Sequence, residues 1–428
     1  MKREQCENLI AGILAIPHAG ELQVTLHGSE RLGTRFNDCA ISQNTLKRQH
    51  TLTLCARLGQ KQTSLSINRL DDRERIRRSV EQVFANCEHM PDDEELLPAP
   101  GNRLESREHA YSEETEALDI DSVGRRVGDA CHAGAAAGID LAELLCVKKE
   151  FAAYADSAGG FAYERSHLCD YHVTASGADG SGWAEHKGVS LTEDALMRAT
   201  RRAIDKCRGA QHPKVFEPRP ATVILEPQAV GDLLSMAFWC GFDQRAADEG
   251  RSALSDFNEV LGRLSLYSDP ASPLFPTVAF NSGGEALEKA VWLDQGRPQQ
   301  LVTSRYWASQ KQIVAKPSPA NLILSGDGSS LEDLIRGTAD GILVTRFWYI
   351  RSTDPKTLGF TGMTRDGTYR IENGAVTYPV VDMRWNDSAL RVLGQVIDSG
   401  VPVATGEFFP MVMPALKVDA FNFTSLSN

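Results

Sequence analysis

The 428-residue chain is 42% hydrophobic and 24% charged, with 35 Gly and 19 Pro. That balance excludes disordered, collagenous and low-complexity architectures and supplies enough chain for two or three domains. Its 45 basic residues face 57 acidic ones for a net charge of −12, with no basic cluster to override the average, so no nucleic-acid partner is expected.

The first 16 residues read as an amphipathic helix ending before Pro17. Its apolar run, Leu9 to Ile16, falls short of the roughly 18 residues of a membrane helix, and Glu4 and Glu7 stand where a signal peptide carries positive charge. The expectation is a soluble, cytoplasmic chain with no membrane partner. Alternating runs at 22–27, 33–42, 51–58 and 62–68, separated by polar or glycine-containing breaks, predict an antiparallel meander. Residues 71–87 form a helix with Ile76, Val80 and Val83/Phe84 as its apolar stripe. The acidic, proline-rich stretch 91–100 is a surface connection. A helix over 120–137 stops at Gly138, and strands at 144–155 and 161–174 flank a turn at 157–160. A strand from Gly182 leads into a helix over 191–207. Pro213, Pro218 and Pro220 then mark a boundary, giving an N-terminal domain over 1–212, a linker over 213–221 and a C-terminal domain over 222–428.

The second half opens with a buried strand at 222–225 and a helix over 227–240. A strand at 321–325 precedes a short helix capped by Ser329 or Ser330, each with an acid three residues on, and a strand follows at 341–346. Runs at 360–364, 368–371 and 375–379 are strands, with Asp366–Gly367 and Asn373–Gly374 as type I′ hairpin turns between them. A helix over 388–397 and a strand-rich tail over 411–423 complete an α+β fold, mostly antiparallel in its second half.

Nine cysteines without a C-x-x-C argue against a disulfide framework or zinc ribbon. All ten histidines lie at or before His212 and the last cysteine is Cys240, so zinc or imidazole chemistry in the second half must borrow groups from the first half or from another chain. The densest cluster is His167, Cys169, Asp170 and His172. On a strand, His167 and Cys169 share one face and Asp170 and His172 the other, so the four cannot converge on one ion. Glu185–His186 suggests acid/base work but has no third group within local reach. The turn Gly326-Asp327-Gly328 lacks the lysine of a phosphate loop, and no histidine is followed directly by glutamate. Motifs alone identify no enzyme.

A set of landmarks in fixed order carries a stronger signal. Gly33-Thr34-Arg35-Phe36-Asn37 with Gln43-Asn44 comes first, then the segment from Phe242 through Glu249-Gly250-Arg251-Ser252. Tyr267-Ser268-Asp269-Pro270, Asn321-Leu322, the run from Gly341 to Arg346, Ile371-Glu372-Asn373-Gly374 and Tyr378-Pro379-Val380 follow. In this order, over nearly the whole chain, the sequence resembles the TldD/PmbA family of peptidase-related proteins, with Ala247 where the family has valine. The resemblance implies a two-domain α+β protein that assembles as dimers, often a TldD·TldE heterodimer. That complex is a zinc metallopeptidase acting on unfolded or extended peptides, including maturation of modified peptide antibiotics.

In the TldD-type chain the resemblance implies zinc held by two histidines of H-E-A-V-G-H, projecting from adjoining turns of one helix face, and by a cysteine near the C-terminus. The intervening glutamate serves as general base. Here those positions fall on Ser235, Met236 and Cys240, with Ala404 for the late cysteine. The implied assignment is the PmbA/TldE-like branch, without catalytic residues, metal or cofactor of its own, and with zinc on a TldD-type partner. Cys240 is a candidate residual ligand or nucleophile, but a buried cysteine beside Phe238 and Trp239 is the preferred reading. Two alternatives stay open: an enzyme of specialised metabolism with a rebuilt site drawn from His167, His172, Glu185, His186 and Cys240, or a homodimeric peptide-binding module.

Overall fold

The structure, a computed structural model, describes residues 1–255, 260–406 and 409–427. Helix α1 (Arg3–Leu14) buries Cys6, Ile10 and Ile13, spaced to share one face, against the first sheet. The first half continues with β1 (Glu21–Asn37), β2 (Ala40–Leu58), β3 (Lys61–Ile67), α2 (Arg73–Glu88), α3 (Glu113–Glu116) and α4 (Ile120–Ala137). It closes with β4 (Asp140–Asp156), β5 (Phe161–Ser176), β6 (Ser181–Gly188) and α5 (Glu193–Gly209). The six strands form one antiparallel sheet, β3-β2-β1-β4-β5-β6, which leaves β6 at an edge. Two apolar clusters hold its helices: α1 and α2 pack on one, α4 and α5 on the other. Asp72, Asp119 and Thr192 cap α2, α4 and α5 by accepting the third-residue N–H, and Gly138 ends α4 with φ 67°.

Two of the meander runs need correction. The run 33–42 is not one strand: the chain folds back at Asp38–Cys39, both at positive φ (49° and 53°), between β1 and β2. Runs 22–27 and 33–37 are the two ends of the single long β1. The first eleven residues of β2 are exposed, so no apolar alternation marks them.

The second half runs β7 (Pro220–Leu225), α6 (Pro227–Gly241), α7 (Gln244–Asp248), β8 (Leu266–Ser268), β9 (Ala290–Asp294), β10 (Arg297–Pro298), α8 (Arg305–Lys311) and β11 (Leu322–Leu324). Then come α9 (Leu331–Arg336), capped by Ser330, β12 (Asp340–Asp354), β13 (Gly359–Glu372), β14 (Ala375–Pro379), β15 (Met383–Ser388) and α10 (Ala389–Gly394). The chain finishes with β16 (Val396–Ser399), β17 (Val403–Thr405), β18 (Met411–Met413) and β19 (Leu416–Leu426).

One sheet is ordered β10-β9-β8-β11-β18-β17, ending on β17. In the other, β12-β7-β19-β15-β13-β14, additional pairing of β12 with β13 closes five strands into a circuit and leaves β14 outside it. Among the described strands, β11–β18 and β7–β12 are the pairs that run parallel. Asn373–Gly374 is a positive-φ turn between β13 and β14, as its sequence predicts. Asp366–Gly367 is not a hairpin: β13 continues through it, and the pair forms a bulge opposite the step from Val344 to Arg346. The fold is α+β with large antiparallel sheets. No helix is long and apolar enough to cross a membrane.

Candidate functional site

A cleft of about 990 Å³ opens where three sheet edges meet. Residues 183–187 of β6 line it consecutively, so the edge of that strand is presented rather than one of its faces. Val403, Ala404 and Thr405 of the edge strand β17 line another side, and Val376 of the edge strand β14 a third. One face of α5, the start of α6, and Leu331 of α9, Leu343 and Thr345 of β12 and Tyr369 of β13 form the remaining walls.

At the junction of β6 and β17 lies a charged cluster. Counting back four residues on each strand from the pair Ser176–Ser181 brings His172 opposite Glu185, and two residues further Asp170 opposes Lys187. His172 Nε2 stands 2.6 Å from Asp170 Oδ1 and 3.7 Å from Glu185 Oε2, and its Nδ1 is 3.6 Å from Glu143 Oε1. Burial disfavours the imidazolium, but Asp170, Glu143 and Glu185 outweigh it and raise His172 to about 10. Asp170 is held below its ordinary value: burial opposes the charge, and His172 and Lys187 overcome it. Burial raises Glu185, despite the nearby Lys187 and His172.

Two remote elements complete the cluster. Lys187 Nζ lies 3.3 Å from Asp170 and donates to the Gly406 carbonyl. Thr405 Oγ1 is within hydrogen-bond reach of both Glu185 Oε1 and Gln228 Oε1, the latter at 2.6 Å. Gln228 is fixed by its own donation to Asp232 (2.7 Å) and by the Gly406 N–H (3.2 Å). Thr405 has one hydrogen for two acceptors, so a proton on Glu185 supplies the missing donor, in line with the upward shift of that carboxyl.

This arrangement gives His172 a pH signature. Its folded value lies above its ordinary 6.5, so its contribution to stability is complete below 6.5 and is lost as pH rises through about 10. The deficit of His172→Gln relative to the unmodified chain is therefore expected to be largest near pH 6 and to shrink as pH rises from about 6.5 towards 10 in denaturant unfolding. A deficit independent of pH contradicts the assignment.

The remaining candidates scatter. His167 is buried, accepts the Ser112 N–H at 3.1 Å, and sits 3.0 Å from Glu116 and against Tyr111. His186 points away from the cluster, 2.9 Å from the Ser190 carbonyl. Glu185 does have partners, which corrects the reading from local sequence: they arrive by strand register and from Thr405, 220 residues away.

On α6, Ser235 donates to the Asp232 carbonyl at 3.1 Å. Met236 and Cys240 pack on the main core, and burial raises the Cys240 thiol. Trp239, between them in sequence, is 83% exposed. Five residues turn a regular helix through about 140°, so side chains at that spacing, Ser235 and Cys240 here as much as the two implied histidines, do not share one narrow helix face, which corrects that part of the expectation. Ala404 packs with Phe275, Ile323 and Val412. A backbone-bonded hydroxyl, a thioether, a packed thiol and a methyl do not fit a zinc ion. Among the described residues no group of three His, Cys, Asp or Glu side chains is arranged to hold a metal.

Residues 218–425 match the family model described as the PmbA/TldA metallopeptidase C-terminal domain. The C-terminal part of the chain therefore carries a domain of the PmbA/TldA type. The matched span holds α6, β17 and the closed strand circuit. The whole chain shares its fold with solved structures of low identity. TldE from Thermococcus kodakarensis superposes with a TM-score of 0.86 at 17% identity, covering 98% of this chain and 99% of that one. A putative modulator of DNA gyrase from Bacteroides thetaiotaomicron gives 0.86 at 19%, covering all of both chains. Another from Thermotoga maritima gives 0.85 at 14%, covering 98% and 100%. No curated protein matches the sequence. In this chain, then, elements of the first half, β6 and α5, and of the matched half, β17, β14 and α6, line one cleft together.

Proposed function

We propose that this chain is a TldE-like subunit of a TldD·TldE-type zinc metallopeptidase, without a zinc site of its own, and that its cleft holds an extended segment of peptide substrate. The observation that carries the first part is the local duty of the motif positions: Ser235 is tied to its own helix backbone, and Met236 and Cys240 are packed on the core. Zinc and its hydrolytic chemistry then belong to a TldD-type partner bearing H-E-x-x-x-H. Three edge strands around one cleft support the second part, because an extended peptide can pair with free main-chain groups at such edges and needs little side-chain signature. Domain boundaries near 213–221 and a cytoplasmic location accompany this reading.

The test is to purify the chain alone and with a TldD-type partner, and to measure zinc content and cleavage of unfolded peptides. The lone chain is expected to hold far less than one equivalent of zinc and to cleave nothing, while the pair cleaves. One equivalent of zinc with cleavage by the lone chain overturns the proposal. The meeting of His172 and Glu185 at the cleft wall favours a second reading, an enzyme with a rebuilt site. That reading requires the lone chain to show an activity that Glu185→Gln abolishes.

A further inference from the structure

The α5 wall of the cleft is cationic, in a chain whose net charge is −12. Five lining residues are lysine or arginine and three are acidic. Of those acids, Glu226 is already held between Arg202 and Lys206 (2.9 Å), and burial raises Glu185 towards its neutral form. Asp205 remains as the one exposed acid. Four of the five cations come from one face of α5, at Arg198, Arg201, Arg202 and Lys206, and the fifth, Lys187 of β6, is paired with Asp170; Ala195 and Ala199 on the α5 face keep it from filling the cleft. Arg198 pairs only with the exposed Asp194, an interaction worth little in water, and Arg201 has no side-chain partner among the described residues.

We propose that this cleft selects acidic extended peptides, with carboxylates on alternate residues read by Arg198, Arg201 and the Arg202–Lys206 pair. The inference rests on the reading of the cleft as a peptide channel and adds the substrate's charge. The spacing suits it. Successive turns of α5 repeat every 5.4 Å or so, and alternate side chains of a strand every roughly 6.6 Å, so a peptide running along the helix offers about one carboxylate per turn. Its other side chains then point to the β6 and β17 side, and its main chain lies beside edges whose outward groups pair with no strand among the described residues.

The experiment is fluorescence anisotropy on the full chain with three labelled ten-residue peptides rich in Val and Thr, carrying Glu, Gln or Lys at alternate positions. The Glu peptide is expected to bind about tenfold tighter than the Gln peptide at low salt, with the difference shrinking near 0.5 M salt, and the Lys peptide to bind worst. The double variant Arg198→Gln/Arg201→Gln, on exposed positions of a helix that tolerates glutamine, is expected to erase the preference, bringing Glu-peptide affinity to within about twofold of Gln-peptide affinity. Equal binding of Glu and Gln peptides, or a preference that survives the double variant, overturns the charge selectivity while leaving the channel reading intact. Binding of none of the three overturns both.

Discussion

Trp385→Ala is expected to cost about 3–5 kcal/mol of stability, a large share of what holds a typical domain folded. Trp385 is fully buried on β15, between β13 and β19, within the closed strand circuit. Its ring centroid lies 4.6 Å from that of Phe347 and 5.6 Å from that of Phe421, and Phe421 in turn meets Phe423 at 5.3 Å. Alanine removes a side chain that touches β12 and β19 together, and the rigid strands around it cannot collapse into the space. Gly362 on β13 shows how closely the indole is fitted: a Cβ there would stand 2.8 Å from the ring. Gly362→Ala should therefore also destabilise, by about 1–3 kcal/mol through overpacking. Denaturant unfolding of both variants measures this. A loss below about 1 kcal/mol for Trp385→Ala would mean that the aromatic cluster does not hold the circuit together.

Where the chain announces its structure by local chemistry, the sequence is readable. Helix α4 ends at Gly138 because the αL position there excludes most side chains, and Ser330 caps α9 through Asp333 as its spacing predicts. Asn373–Gly374 turns as such pairs do. Asp366–Gly367 has the same kind of sequence and a different use, because both a I′ turn and a bulge need positive φ, and only the partner strand decides between them. The long β1 and β2 were opaque for another reason. The first eleven residues of β2 are exposed on both faces, so they carry no alternation to detect, and without them the two ends of β1 read as separate runs. Strand order is less legible still: β7 pairs in parallel with β12 across more than a hundred residues, and nothing local encodes that.

The site follows the same rule. Asp170 and His172 share a face, as a period of two requires, and the antiparallel register of β5 and β6 was in principle available to bring Glu185 to them. Thr405 and Gln228 carried no signal, since they reach Glu185 only through the packing of β17 and α6 on β6. The family landmarks told something different. Arg346 closes one of them, and its role is visible only in three dimensions.

Arg346→Met should destabilise by about 3–5 kcal/mol, since it strands a buried carboxylate without its cation. Asp366 is 5% exposed and accepts from Arg346 Nε at 2.8 Å and from Ser181 Oγ at 2.7 Å. Ser181 begins β6, and the Arg346 guanidinium lies 4.8 Å above the Trp183 ring on the same strand, so the pair ties the closed circuit to the cleft's edge strand. Arg365, 3.6 Å from Asp366 but with a half-exposed side chain, recovers only part of the loss. If the cost comes from the unpaired charge rather than from lost packing, the double variant Arg346→Met/Asp366→Leu recovers most of it, because the carboxylate is gone with its partner. Unfolding of the two single variants and the double one gives the coupling energy directly. Additive losses would mean that Arg346 acts through its contacts with Trp183 and Trp348, and that the ion pair itself contributes nothing to joining the two halves.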